Sequence, residues 1–141
     1  MTNNILIPEI KESRNYWFIR TLGGKWYDDF IAGNYVAIGW NELTLSQIDS
    51  IKSINELDKK VKNLYPRQSR NGLTTTQIFR FVHEMEVGDV VVIPSKNSES
   101  FAFGIIEGDA YENTIIEEDK CDFYKRRKIN WVLNAVINKI Y

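Results

Sequence analysis

The hydrophobic positions change period twice along the chain. Tyr16, Phe18 and Arg20 alternate with Trp17 and Ile19, and both faces of that run are largely apolar. The pattern predicts a strand at Tyr16–Thr21 inside a closed or covered sheet. Gly23-Gly24 breaks it, Lys25–Ile31 is long enough for two helical turns, and Gly33-Asn34 is a natural stop. Tyr35–Gly39 reads as a second strand with Trp40 at its exit. The period then becomes helical: Leu45, Ile48, Ile51; Leu57, Val61, Leu64; Ile78, Phe81, Val82, Met85. Thr44…Gln47, Ser53…Glu56 and Thr74…Gln77 have the spacing of capping boxes and predict the starts of these three helices. Tyr65-Pro66 ends the second, and 67–72 link it to the third.

After Gly88-Asp89 the chain returns to strands. Val90–Ile93 is wholly β-branched, and Ser100–Glu107 places Phe101, Phe103 and Ile105 on one face. Ala110–Ile116 is a further candidate for pairing, and Glu117–Asp122 is an acidic loop. Residues 126–133 read as the last strand, and the stretch from Asn134 fits strand or helix equally. Two strands, a helical insertion and three or four more strands give an α+β class, with a small curved sheet or barrel and helices packed over one end.

Composition narrows the chemistry. A length of 141 residues predicts one domain, 1–141, with a core that needs no staples. The abrupt apolar end suggests a domain cut from a longer protein, although a short complete protein would look the same. The net charge of −1 gives no overall field for nucleic acid, so any such contact needs a local patch. Cys121 and His83 are single residues of their types, which leaves no internal disulfide or cysteine-based zinc site and little support for histidine catalysis. No run suits a signal peptide or membrane span, and the expectation is a cytoplasmic protein without cofactor or metal.

Aromatics make up 13% of the chain, and Asn15–Trp40 holds three of its four tryptophans. Such rings either fill a core or wall a cage for a flat or cationic ligand. Trp26 and Trp40, each beside a turn, are the candidate cage walls, joined by Phe101; Phe103 and Trp131 go to the core. Ser95 and Lys96, in the loop 94–98 between two strands, are candidate polar contacts. The dense basic run 125–128, with Arg67 and Arg70, is a candidate phosphate patch through Lys125, Arg126 and Lys128. Strand alternation puts at most about half of that run on one surface. Asp109 followed by Glu118 and Lys120 has the acid, acid-x-lysine order of a metal-dependent nuclease, a competing reading. His83 reads as a surface histidine without a partner.

Taken in order, Tyr16–Arg20, Tyr35–Trp40, Gly88–Pro94 and Arg126–Trp131 resemble the PUA-like, EVE-type domains at the N-termini of restriction-type and other defence proteins. The resemblance runs from about residue 14 to 133. It implies a small curved β-barrel of five to six strands with three to four helices at its side. It also implies a non-catalytic module that binds nucleic acid, DNA ahead of RNA, for an effector outside this chain. Several relatives read a modified base flipped into an aromatic pocket. That reading makes Trp26 and Trp40 the walls, and Arg20, Ser95 and Lys96 the contacts to base edge or backbone. A third reading is a protein- or small-ligand-binding module on the same fold.

Overall fold

A computed structural model describes residues 14–67 and 71–136. Its elements are β1 (Tyr16–Phe18), α1 (Tyr27–Gly33), β2 (Tyr35–Ile38), α2 (Leu45–Ser50), α3 (Ile54–Leu64), α4 (Asn71–Phe79), β3 (Val90–Pro94), β4 (Ser100–Ile106), β5 (Tyr111–Glu112) and β6 (Lys125–Val136). The strands form a curled, half-barrel sheet in the order β1-β3-β4-β6-β2, with β5 also paired to β6. Only β1 and β3 run parallel; the other pairings are antiparallel. The protein is therefore α+β, a small curved sheet with helices beside it.

Alternation decides which residues enter the core. Ala102, Gly104 and Ile106 of β4 are buried, whereas Phe101, Phe103 and Ile105 lie half-buried on the opposite face. Gly104 is required: a Cβ there would overlap the side chains of Ile129 and Trp131, and the β4–β6 register shifts at that point. Trp131 adds an indole N–H bond to the carbonyl of Phe30, 2.8 Å. Asp89 ties the first strand to the third, accepting from the Asn15 backbone N–H, the Trp17 indole and the Glu86 N–H.

Two of the three predicted helix starts are built as expected. Thr44 and Gln47 form a reciprocal capping box, and the Ser53 hydroxyl accepts from the Glu56 N–H. The third differs: α4 begins at Asn71, and Thr74 is buried inside it. The adjoining Thr75 hydroxyl donates to Asp58 of α3 at 2.7 Å, so these hydroxyls serve helix packing and not a cap. Beyond Phe79 the chain winds wide into a π-turn, Arg80–Glu84, closed by Met85 N–H on the carbonyl of Arg80. His83 is half-buried there, with Nε2 2.9 Å from the carbonyl of Ile48 and its ring against Phe79. The expectation of an unpartnered surface histidine is thus corrected. Ala110–Ile116 contributes only the two residues of β5, and β6 continues as strand past Asn134.

Candidate functional site

The turn between β1 and α1 is held by Thr21. Its hydroxyl donates to the carbonyl of Pro94 at 2.7 Å and accepts from the Gly24 N–H, while the Trp26 N–H bonds its carbonyl at 2.9 Å. Gly24 has a φ of +93° and lies so close to the backbone of Lys96 that any side chain would collide. Left-handed geometry and close approach both demand glycine. The turn thereby carries Lys25 and Trp26 up against the loop that carries Lys96. Ser95 closes that loop from within: its N–H donates to the Ser100 carbonyl and its Oγ accepts from the Ser100 N–H. Ser95 is a loop staple, and Lys96 is its exposed neighbour.

Trp26 is only 6% exposed, and its indole Nε1–H is buried with no acceptor among the described residues. One face carries the Lys25 ammonium, 4.6 Å from the ring centroid, and the edge-on neighbour is Phe123, at 6.1 Å. An unpaired buried donor costs roughly 1–3 kcal/mol. Lys25, Lys96 and Arg20 are exposed cations on the same turn, the facing loop and the end of the first strand's run.

The partner of Trp26 is Phe123, a residue the sequence reading passed over. Phe123 packs on Gly39, and the side chain of Asn41 pins the backbone on either side of it, donating to the Asp122 carbonyl and accepting from the Tyr124 N–H. An aromatic at the end of a loop, directly before a basic strand, was the available signal. Trp40 is half-buried against the core at a φ of +58° and pairs with no other ring among the described residues. Phe101 is turned to Phe18, ring centroids 6.5 Å apart, on the sheet face opposite Ala102 and Ile106. The structure therefore does not gather Trp40 and Phe101 with Trp26.

The basic run has a different part from the one expected. Lys125 is fully buried, donating to the carbonyls of Trp40 at 2.8 Å and Leu43 at 2.7 Å. Desolvation brings its pKa down to about 8, against the opposing pull of Glu112 and Glu42. Arg126 is 7% exposed; its Nε and Nη2 donate to the carbonyls of Phe123 and Cys121. Arg127, also buried, donates to the carbonyls of Phe81 and Val82 in the π-turn and of Gly108 in the connection after β4. Burial lowers its pKa from the usual guanidinium value, with Asp109 and Asp89 acting the other way. Lys125 and Arg126 are thus corrected from phosphate contacts to internal clamps, because β6 starts between β2 and β5 and both its faces are covered. Lys128 is exposed, 4.0 Å from Glu107. Arg67 is exposed after α3, and Arg70 lies outside the described residues.

Asp109, Glu118 and Lys120 are exposed, and the latter two sit in a turn rather than on a strand. Among the described residues no group of three His, Cys, Asp or Glu side chains is placed to hold a metal ion, and no helix is long and apolar enough to cross a membrane.

No curated protein matches the chain. A family model described as Domain of unknown function (DUF8426) matches residues 19–141, from the end of the first strand's run to the last residue, and the chain belongs to that family.

Proposed function

We propose that this domain is a non-catalytic nucleic-acid reader of the PUA-like, EVE type. It takes a base, modified and in DNA, against Trp26 and serves an effector carried elsewhere. The observation that carries the reading is the buried indole N–H of Trp26, unpaired among the described residues, with the exposed Lys25 over its ring and the exposed Lys96 on the facing loop. A nearby sugar or phosphate oxygen supplies an acceptor for that in-plane donor, and a backbone supplies phosphates for Lys25, Lys96 and Arg20. Energies favour the exchange. Lys25 over the ring is worth about 0.5–1 kcal/mol at an exposed site. A base stacked in its place is worth about 1–3 kcal/mol, and freeing Lys25 makes it available to a phosphate. Flipping the base costs a few kcal/mol and is cheapest where pairing is already weakened.

The test is binding of plain and methylated duplex and single-stranded oligonucleotides at low salt, with and without EDTA. Expected is binding without cleavage in both conditions, weakened at least tenfold by Trp26→Ala and untouched by Asp109→Ala. Metal-dependent cleavage abolished by Asp109→Ala would favour the nuclease reading. No binding of either DNA or RNA would leave a protein- or small-ligand module.

A further inference from the structure

A second pocket, of about 260 Å³, opens where the end of α1 and the start of β2 meet the loop between β5 and β6. None of its lining residues belongs to the Trp26 cluster. Its volume falls just under the roughly 300–1,000 Å³ of ordinary ligand pockets, which suits a metabolite smaller than a nucleotide.

The pocket is built on Tyr35 and Arg126, both buried, with the guanidinium 4.2 Å from the ring centroid. Two of the three guanidinium nitrogens hold carbonyls. Among the described residues Nη1 has no acceptor, yet it is not sealed in, so it is the part of this side chain open to a ligand. Among the described residues no carboxylate comes within ion-pair distance of it. A fixed guanidinium with open donors fits a carboxylate.

The walls carry both signs, the exposed Lys120 lining the pocket along with two carboxylates. Asp29 and Glu117 both line the pocket, and one Asp29 oxygen accepts from the Cys121 N–H at 2.7 Å. Burial raises the Tyr35 hydroxyl and the Cys121 thiol above their usual pKa values, so both stay neutral and the charged side chains set the field. A simple anion would meet two carboxylates, and a simple cation would meet Arg126. At the mouth Ile115 is 85% exposed, with Ile116 beside it, an apolar surface left open among the described residues.

We propose that this pocket binds a small zwitterion, an α-amino acid with an aliphatic side chain. Its carboxylate lies on Nη1 of Arg126, its ammonium faces Asp29 and Glu117, and its side chain covers Ile115 and Ile116. The probe is leucine, titrated into the full chain and followed by NMR. Saturable shifts are expected at Tyr35, Ile115 and Cys121, with a Kd of about 1 mM or tighter. Isovalerate and isopentylamine, each carrying half of the charge pair, should bind at least tenfold more weakly. Asp29→Asn keeps an oxygen for the Cys121 N–H and should weaken leucine at least tenfold while leaving isovalerate no worse. Glu117→Gln, on an exposed side chain, repeats the test where Asp29→Asn disturbs folding. Shifts that are absent, or that stay linear in leucine, overturn the proposal, as does isovalerate binding as tightly as leucine. Oligonucleotide binding and its Trp26 dependence stand or fall separately.

Discussion

Two groups of cations sit in this protein in opposite environments. Lys125, Arg126 and Arg127 follow one another on a central strand and spend their donors on seven backbone carbonyls across four connections. Arg20, Lys25 and Lys96 are scattered in sequence and exposed, and a glycine-mediated contact of two turns brings Lys25 and Lys96 together. The dense run is the one the eye takes for a phosphate patch, yet it is the scattered set that a ligand can reach. Charge density along the chain says little about charge at the surface once a strand has neighbours on both sides. A cation facing carbonyls is a structural group; one facing solvent beside a ring is free to bind.

The comparison breaks first, and hardest, at Arg127. Arg127→Ala removes the donor from one buried and two part-buried carbonyls, and unpaired buried groups cost roughly 1–3 kcal/mol each. Urea denaturation should show a loss of about 3–5 kcal/mol or no folded protein at all; a loss below about 1 kcal/mol would mean the clamp is idle.

Next comes Lys125, whose folded pKa of about 8 lies below its ordinary 10.5. The unfolded chain then holds the proton over a range in which the folded chain has released it. Stability should therefore be lowest below pH 8 and rise as pH passes 8 toward 10. The full shift is worth about 3 kcal/mol. The neutral amine retains two N–H donors for its two carbonyls, so the rise need not be lost to a broken contact. Tyr35 and Tyr65, held neutral in the fold above the usual phenol value by burial first, turn the slope downward above pH 10. Denaturation series at pH 7 and 9.5 check this, and Lys125→Met should flatten the difference.

A smaller effect tests the link between the two regions. Asn41→Ala releases the backbone around Phe123 and should cost about 1–2 kcal/mol. It should also loosen the ring packed on Trp26, read as a shift in tryptophan fluorescence. An unchanged spectrum would mean that Phe123 is positioned by something else.

The smallest effect on stability belongs to the exposed set. Arg20→Ala, Lys25→Ala and Lys96→Ala should each change stability by less than about 0.5 kcal/mol. In oligonucleotide binding each should reduce the salt slope by about one. A large stability loss in any of the three would place it with the clamps.

Much of the fold was legible because its signals are local. The Thr44 and Ser53 caps started their helices, and Asn34 sits left-handed at the end of α1 as its stop signal required, whereas the alternation in β4 marked two faces and the core took Ala102, Gly104 and Ile106, not the expected Phe103. Thr74 carried the same cap signal and failed, since the helix had already begun and packing against α3 claimed the neighbouring hydroxyl. Of the candidate cage, the sequence pointed to Trp26 and its turn. It could not pair Trp26 with Phe123, because 97 residues of chain and a half-barrel lie between them.

Local chemistry, then, is what the sequence by itself determined: the α+β order, the faces, the turns and the aromatic stretch. Only the tertiary structure decided that three adjacent cations are buried and that Lys25 and Lys96, 71 residues apart, come together at the surface. A side chain's charge is written in its residue, whereas its solvation depends on which strands and loops close over it. That closure is set by pairings across the whole chain, and no period or spacing records it.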